Sequence, residues 1–176
     1  MAGTQRDETR FRALLEEWSV SDAREEVERI LFDEFETQLA ILVLDMSGFS
    51  SSVIKHGIVH FLAKIHRMRD LTVPLAVRHG GELVKYIGDD VVAAFPDPDG
   101  AYAAAKAMMA AVEAGNADAE PDMRMHVAIG VGYGPTLYVS GVDVWGDQAN
   151  RAFKLGEDIA EPVSYTHLRA HETLLD

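Results

Sequence analysis

The stretch Gly80-Gly81-Glu82-Leu83-Val84-Lys85-Tyr86-Ile87-Gly88-Asp89-Asp90, followed by Val91-Val92-Ala93-Ala94-Phe95, reads as a β-hairpin. Gly80-Gly81 stops a helical pattern, Leu83 to Ile87 is a strand, and Gly88-Asp89 or Asp89-Asp90 makes a tight turn into a second apolar strand. Asp89 is therefore expected at a hairpin tip. Upstream stands Leu42-Val43-Leu44-Asp45-Met46-Ser47-Gly48-Phe49-Ser50, in which the apolar run from Leu39 to Leu44 stops abruptly at Asp45. An unbroken run of this kind belongs to a strand buried on both faces. A carboxylate at such a strand end sits where ligands and metals commonly bind. The small polar turn from Ser47 to Ser52 leads into a helical pattern, so backbone N–H groups and a helix N-terminus are expected beside Asp45, a place for phosphate. Two carboxylates at the ends of apolar strands point to a metal site.

Outward from these segments, residues 6–18 and 22–35 read as helices, with Ser19 or Ser21 as a cap and Asp22, Glu25 and Glu26 in the first turn, where the helix dipole favours them. Val27, Ile30, Leu31 and Phe35 form one apolar stripe, as in a helix packed on the domain or on a second copy. The first 38 residues hold five Arg, no Lys and eleven acids. Beyond Ser50 a helical region runs to about Arg78, with Pro74 expected as a kink or a boundary. Residues 99–114 read as an Ala- and Met-rich helix capped by Asp97 or Asp99. Met125 to Tyr133 alternates like a strand and turns at Gly134-Pro135 into Leu137-Tyr138-Val139. Residues 148–159 form the last helix. This order predicts an α+β fold, a ferredoxin-like, antiparallel-rich sheet with helices packed on one face.

Composition sets the outer bounds. A chain of 176 residues, 48% hydrophobic, is long enough for one sizeable core. The absence of cysteine excludes a disulfide scaffold and any thiolate metal site, and suits a reducing cytoplasm. No apolar run reaches membrane-spanning length, and the polar N-terminus lacks a signal-peptide pattern. A formal net charge of −13 argues against a nucleic-acid surface, which needs clustered Lys and Arg. A nucleotide polyphosphate fits an acidic chain only if divalent metals mediate between carboxylates and phosphates.

A third segment, Asp143-Val144-Trp145-Gly146-Asp147-Gln148-Ala149-Asn150, completes an ordered set. An Asp followed by a small residue, Gly and Phe after the first strand, then Gly-Gly with a Lys-x-x-Gly-Asp hairpin, then Asp-x-Trp-Gly-x-x-x-Asn, resembles the class III adenylyl/guanylyl cyclase catalytic domain. Each motif alone is weak; the three in order at domain spacing carry the resemblance, over about Leu39 to Ala160. It divides the chain into an N-terminal helical segment (1–38), a catalytic domain incomplete at its C-terminus (39–161), and a tail (162–176). The tail, Pro162-Val163-Ser164-Tyr165-Thr166-His167-Leu168-Arg169-Ala170-His171-Glu172-Thr173, looks like an in-frame translation of a sequencing-library adaptor. On that reading its i, i+4 histidines, His167 and His171, are not a metal site.

The resemblance implies a role for each matching residue. Asp45 and Asp89 would hold a pair of Mg²⁺ or Mn²⁺ ions, with the backbone carbonyl of Met46 as a further ligand. Oxygen ligands suit such hard ions. One ion would activate and orient the ribose 3′-hydroxyl while the other neutralises the β- and γ-phosphates, so that the hydroxyl attacks the α-phosphorus and pyrophosphate leaves. Ser47, Gly48, Phe49 and Ser50 would line the substrate phosphates. Lys85 and Asp143 resemble the base-selecting pair: adenine offers an acceptor at N1 and a donor amine at N6, which match a Lys donor and an Asp acceptor, so ATP is favoured over GTP. Asn150 resembles the residue that orients ribose. One turn later the chain departs from the family, with Lys154 where many members carry an Arg on the α-phosphate; Lys keeps the charge but loses the planar fork. Taken alone, either Asp is equally a turn cap, Lys85 an exposed strand lysine and Asp143 a turn residue.

The activity implied is an adenylate cyclase making 3′,5′-cyclic AMP at the interface of a cytoplasmic homodimer, in which metal aspartates come from one subunit and Lys, Asp and Asn from the other. A cyclase-like regulatory or dimerisation module without turnover is the competing expectation, motivated by Lys154, and a guanylate cyclase is the other. A diguanylate cyclase is disfavoured because its Gly-Gly-Asp/Glu-Glu-Phe hairpin does not stand here.

Overall fold

The computed structural model describes residues 2–157 and, within them, the side chains other than those of residues 2–6, 49–52 and 157. The adaptor-like tail with His167 and His171 lies outside the described residues. Two helices, α1 (Ala2–Val20) and α2 (Arg24–Phe35), precede strand β1 (Glu36–Met46). Helices α3 (Phe49–His56) and α4 (Ile58–Arg78) lead to the hairpin β2 (Glu82–Ile87) and β3 (Asp90–Phe95). Helix α5 (Pro98–Ala117) and a short 3₁₀ turn (Pro121–Met123) precede β4 (Val127–Val139), β5 (Asp143–Trp145) and α6 (Asp147–Glu157).

The strands form one sheet in the order β2-β3-β1-β4-β5, and every pairing in it is antiparallel. The apolar run that ends at Asp45 is its central strand, flanked by β3 and β4. Alternation along β1 explains why the run is unbroken, because both faces are covered. Ala40, Leu42, Leu44 and Met46 join a core with Phe61 and Met68 of α4 and Ala104 and Met108 of α5. Ile41 and Val43 point the other way, toward Ala149 and Ala152 of α6. Each of these large side chains contributes roughly 1.5–3 kcal/mol by burial.

An antiparallel sheet with helices packed on it is the architecture read from the sequence. The helices differ in placement: α4 and α5 share one face, whereas α6 crosses the opposite one. Gly130 and Gly132 of β4 make that crossing possible. A Cβ at Gly130 would stand 2.0 Å from the Ala152 carbonyl oxygen, and one at Gly132 would stand 2.2 Å from that of Gln148. Helix α6 therefore lies backbone against backbone on β4, closer than any side chain permits.

The expected boundary at Pro74 falls elsewhere. Pro74 lies inside α4, and the break is at Gly57, whose φ of 86° ends α3 and begins α4. Met68, Thr72 and Ala76 of α4 are buried on either side of Pro74, so packing carries the helix through it. At the N-terminus, Val27, Leu31 and Phe35 of α2 pack with Phe11 and Leu14 of α1 against Val139 of β4. Phe11 meets Phe35 edge-on, centroids 5.0 Å apart, and stacks on Trp145 of β5 at 4.8 Å and 9°. No helix among the described residues is long and apolar enough to cross a membrane.

Candidate active site

Asp45 is the penultimate residue of β1, paired with Ala128 of β4. Asp89 occupies the two-residue turn Gly88-Asp89, between Ile87 and Asp90, which are register partners. Gly88 has φ 59°, the positive value that the first central position of a primed hairpin turn requires. Carboxylate oxygens of Asp45, Asp89 and Asp90 lie within 4.8 Å of one another, and all three residues are half-buried. Three carboxylates at that spacing repel, and a divalent cation relieves the repulsion while taking the oxygen donors it prefers. The residues thus fit a hard metal ion. Asp90 was not among the expected ligands; an Asp-Asp doublet at a hairpin tip was the visible signal, but strand alternation credits only one of the two with reaching the site. Met46 is buried, its side chain in the core, which leaves its backbone carbonyl as the donor it can offer.

The turn after β1 is held by Ser47, whose N–H donates to the His126 carbonyl at 2.9 Å and whose hydroxyl reaches the same oxygen at 3.4 Å. Gly48 follows with φ 91° and ψ 20°, the left-handed conformation that favours glycine, and stands at the N-cap of α3. A glycine brings no side chain to cap the helix, which leaves the first-turn N–H groups of α3 without a side-chain cap three residues beyond Asp45 in sequence. The side chains of Phe49 and Ser50, the remaining expected phosphate-turn residues, fall outside those described.

A second constellation joins Lys85 and Asp143. A bulge between Leu83 and Lys85 shifts the β2 register, pairing Lys85 with Val92. Lys85 Nζ donates to Asp143 Oδ1 at 2.5 Å, both side chains about three-quarters buried, and the Val144 N–H donates to the same oxygen at 2.7 Å. This contact spans the two edges of the sheet, since β2 and β5 are its first and last strands. Glu82 makes a parallel link, accepting from the Tyr138 hydroxyl and the Ser140 hydroxyl, each at 2.7 Å. Burial, reinforced by the Glu82 carboxylate, pushes the Tyr138 phenol up to about 12.

Asn150 and Lys154 lie one turn apart on α6, both exposed, while Ala149, Ala152 and Gly156 face the sheet. The close approach of α6 brings Gly156 against the start of the acidic site: a Cβ there would stand 3.9 Å from Asp45 Cβ. Arg69 of α4 was not anticipated from the sequence. Its guanidinium donates to the Gly88 carbonyl at 2.6 Å and lies 3.9 Å from the centre of the Tyr86 ring, so α4 grips the hairpin that carries Asp89. An arginine on a long helix gives no sequence signal for such a contact.

This sheet order, the acidic cluster and the Lys–Asp pair define a class of protein: the described residues carry the fold of the class III nucleotide cyclase catalytic domain. Among solved structures, an adenylate/guanylate cyclase/hydrolase from Silicibacter pomeroyi is similar with a TM-score of 0.62 and 28% identity, over 69% of this chain and 70% of that one. A bacterial light-regulated adenylyl cyclase is similar with a TM-score of 0.63 and 22% identity, over 69% of this chain and 40% of that one. The guanylate cyclase domain from Catenaria anguillulae, solved in complex with GTP, gives 0.56 and 19%, over 69% and 73%. No protein-family model and no curated protein matches the sequence.

Proposed function

We propose that this chain is an adenylate cyclase, converting ATP to 3′,5′-cyclic AMP and pyrophosphate, and that it works as a homodimer in the cytoplasm. The observation that carries the reading is the convergence of Asp45, Asp89 and Asp90 in a sheet of the cyclase type. These carboxylates, with the Met46 carbonyl, would hold two Mg²⁺ or Mn²⁺ ions. Such ions neutralise polyphosphate charge and make the ribose 3′-hydroxyl a better nucleophile.

The remaining roles belong to the chain's own groups. The Ser47–Ser50 turn and the N-terminus of α3 receive phosphate oxygens through backbone N–H groups. Lys85 donates to adenine N1 and Asp143 accepts from the N6 amine. Asn150 orients the ribose so that its 3′-oxygen bonds to the α-phosphorus as the bond to the bridging oxygen of the departing pyrophosphate breaks, the 3′-hydroxyl proton passing to solvent. Lys154 offsets charge developing on the α-phosphate as a point charge rather than a fork.

Assay of cyclic AMP and cyclic GMP with Mn²⁺, beside an Asp45→Ala control, tests this. Cyclic AMP that disappears in the control is the expected result; cyclic GMP from GTP in preference would transfer the assignment to a guanylate cyclase. Lys154 at the α-phosphate position favours a second reading, a dimeric module that binds ATP with metal and does not turn it over. Metal-dependent ATP binding by a folded chain, without product, would establish that alternative.

A further inference from the structure

The elbow between α3 and α4 assembles a second group of metal-ligating side chains, which shares no residue with the acidic cluster. His56 ends α3 and His60 lies in the first turn of α4; the break at Gly57 brings their rings into a stack, centroids 4.7 Å apart at 28°. Asp122, from the 3₁₀ turn before β4, meets both. His56 Nδ1 stands 4.0 Å from Asp122 Oδ2, and His60 Nε2 lies 3.0 Å from the Asp122 carbonyl oxygen. One ligand atom from each of the three side chains lies within 4.8 Å of the other two.

Three features suit this group to an ion. The 4.0 Å separation is too long for a hydrogen bond, and a rotamer adjustment of roughly 0.7 Å would bring the two atoms to the ~3.3 Å that separates neighbouring donors on a tetrahedral Zn²⁺ with bonds of about 2.0–2.1 Å. A His60 that donates its Nε2 proton to the Asp122 carbonyl keeps a lone pair on Nδ1, and an outer-shell carbonyl of this kind fixes the tautomer of metal-bound histidines. The turn that carries Asp122 is already held: Arg67 donates to the Met123 and Gly115 carbonyls, and the Asn116 side chain clasps both the N–H and the carbonyl of Met125.

We propose that His56, His60 and Asp122 bind one borderline divalent transition-metal ion, Zn²⁺ by preference, leaving further coordination to water. Imidazole donors select such ions, whereas the all-oxygen cluster of Asp45, Asp89 and Asp90 selects hard ones, so the chain would sort two kinds of metal between two places.

Calorimetric titration of the full chain with ZnCl₂ in millimolar Mg²⁺ tests this, with Co²⁺ as a second probe read by its visible absorption. The expected result is one Zn²⁺ per chain bound at micromolar concentration or below. It is retained in Asp45→Asn/Asp89→Asn and in His167→Ala/His171→Ala. Either His56→Ala or His60→Gln weakens it at least about tenfold. His56 lies in the last turn of α3 outside the buried clusters, so His56→Ala is expected to keep the fold, which a cooperative thermal transition verifies. Zn²⁺ binding that survives both histidine changes, that vanishes with the aspartates of the acidic cluster or with the tail histidines, or that is absent from a cooperatively folded chain, overturns the proposal.

Discussion

Lys154 is the residue at which chemistry and family pattern part. An ammonium on a flexible stem neutralises charge but holds a phosphoryl group by one direction, whereas a guanidinium holds it by two. Lys154→Arg is therefore expected to raise kcat several-fold with little change in KM, and Lys154→Ala to lower it further, as a steady-state assay would read. In the proposed cyclase, Lys85 would govern base choice in the same terms. Lys85→Glu replaces a donor by an acceptor, and the ratio of GTP to ATP turnover should rise at least about tenfold; an unchanged ratio would remove Lys85 from base recognition. Asp45 and Asp89 stood out in the sequence because each ends an apolar strand, where a charged side chain needs a reason, whereas Lys85 and Asp143 were singled out only by the motif resemblance; the fold pairs the latter two across the sheet. Asp90 and Arg69 were not legible, since a doublet at a turn and an arginine on a helix are ordinary features until the fold brings them to Asp89.

At the level of elements, α6 is seated by glycines rather than by side-chain interdigitation. Gly132→Ala forces a methyl group to within 2.2 Å of the Gln148 carbonyl oxygen. The strand or the helix must shift, at a cost of about 1–3 kcal/mol or more, lowering the melting temperature and moving Asn150 and Lys154 together. Differential scanning calorimetry and activity should fall in parallel. The hairpin tip depends on α4 in a different way: Arg69→Ala removes the donor to Gly88, and Mn²⁺ affinity measured by calorimetry should weaken several-fold while Arg69→Lys restores part of it. Tyr138 gives the link between β4 and β2 a pH signature. Its folded pKa lies above the unfolded value of about 10, so its contribution is complete below pH 10 and is lost as pH rises toward 12. Chemical denaturation across that range should show stability falling, and Tyr138→Phe should flatten the slope while costing about 1–2 kcal/mol at neutral pH.

The helix break shows where sequence patterning stops informing. Pro74 has a strong intrinsic signal and Gly57 a weaker one, yet buried neighbours hold α4 together through the proline while nothing opposes the glycine. Likewise the side of the sheet taken by α6 is set by two glycines of β4, visible in the sequence but without a partner to name until the chain folds.

For the molecule as a whole, the acidic cluster and the Lys85–Asp143 pair are each complete within one chain, and the proposed dimer would present the cluster of one copy to the pair of the other. Mixing Asp45→Ala with Lys85→Ala proteins should then recover activity from two inactive stocks, up to about a quarter of the wild-type sites for random exchange of subunits. No recovery after verified exchange would count against shared sites. The same pair ties opposite edges of the sheet, and this would give the proposed base recognition a structural cost. A nucleobase cannot take the hydrogen bonds of Lys85 and Asp143 without competing with the bond they make to each other. Base binding at this pair would therefore be an exchange in which one latch of the sheet is traded for a ligand, leaving Glu82, Tyr138 and Ser140 as the remaining fastening. Amide exchange in β2 and β5, rather than in the buried β1, is where the molecule would register that a base has arrived.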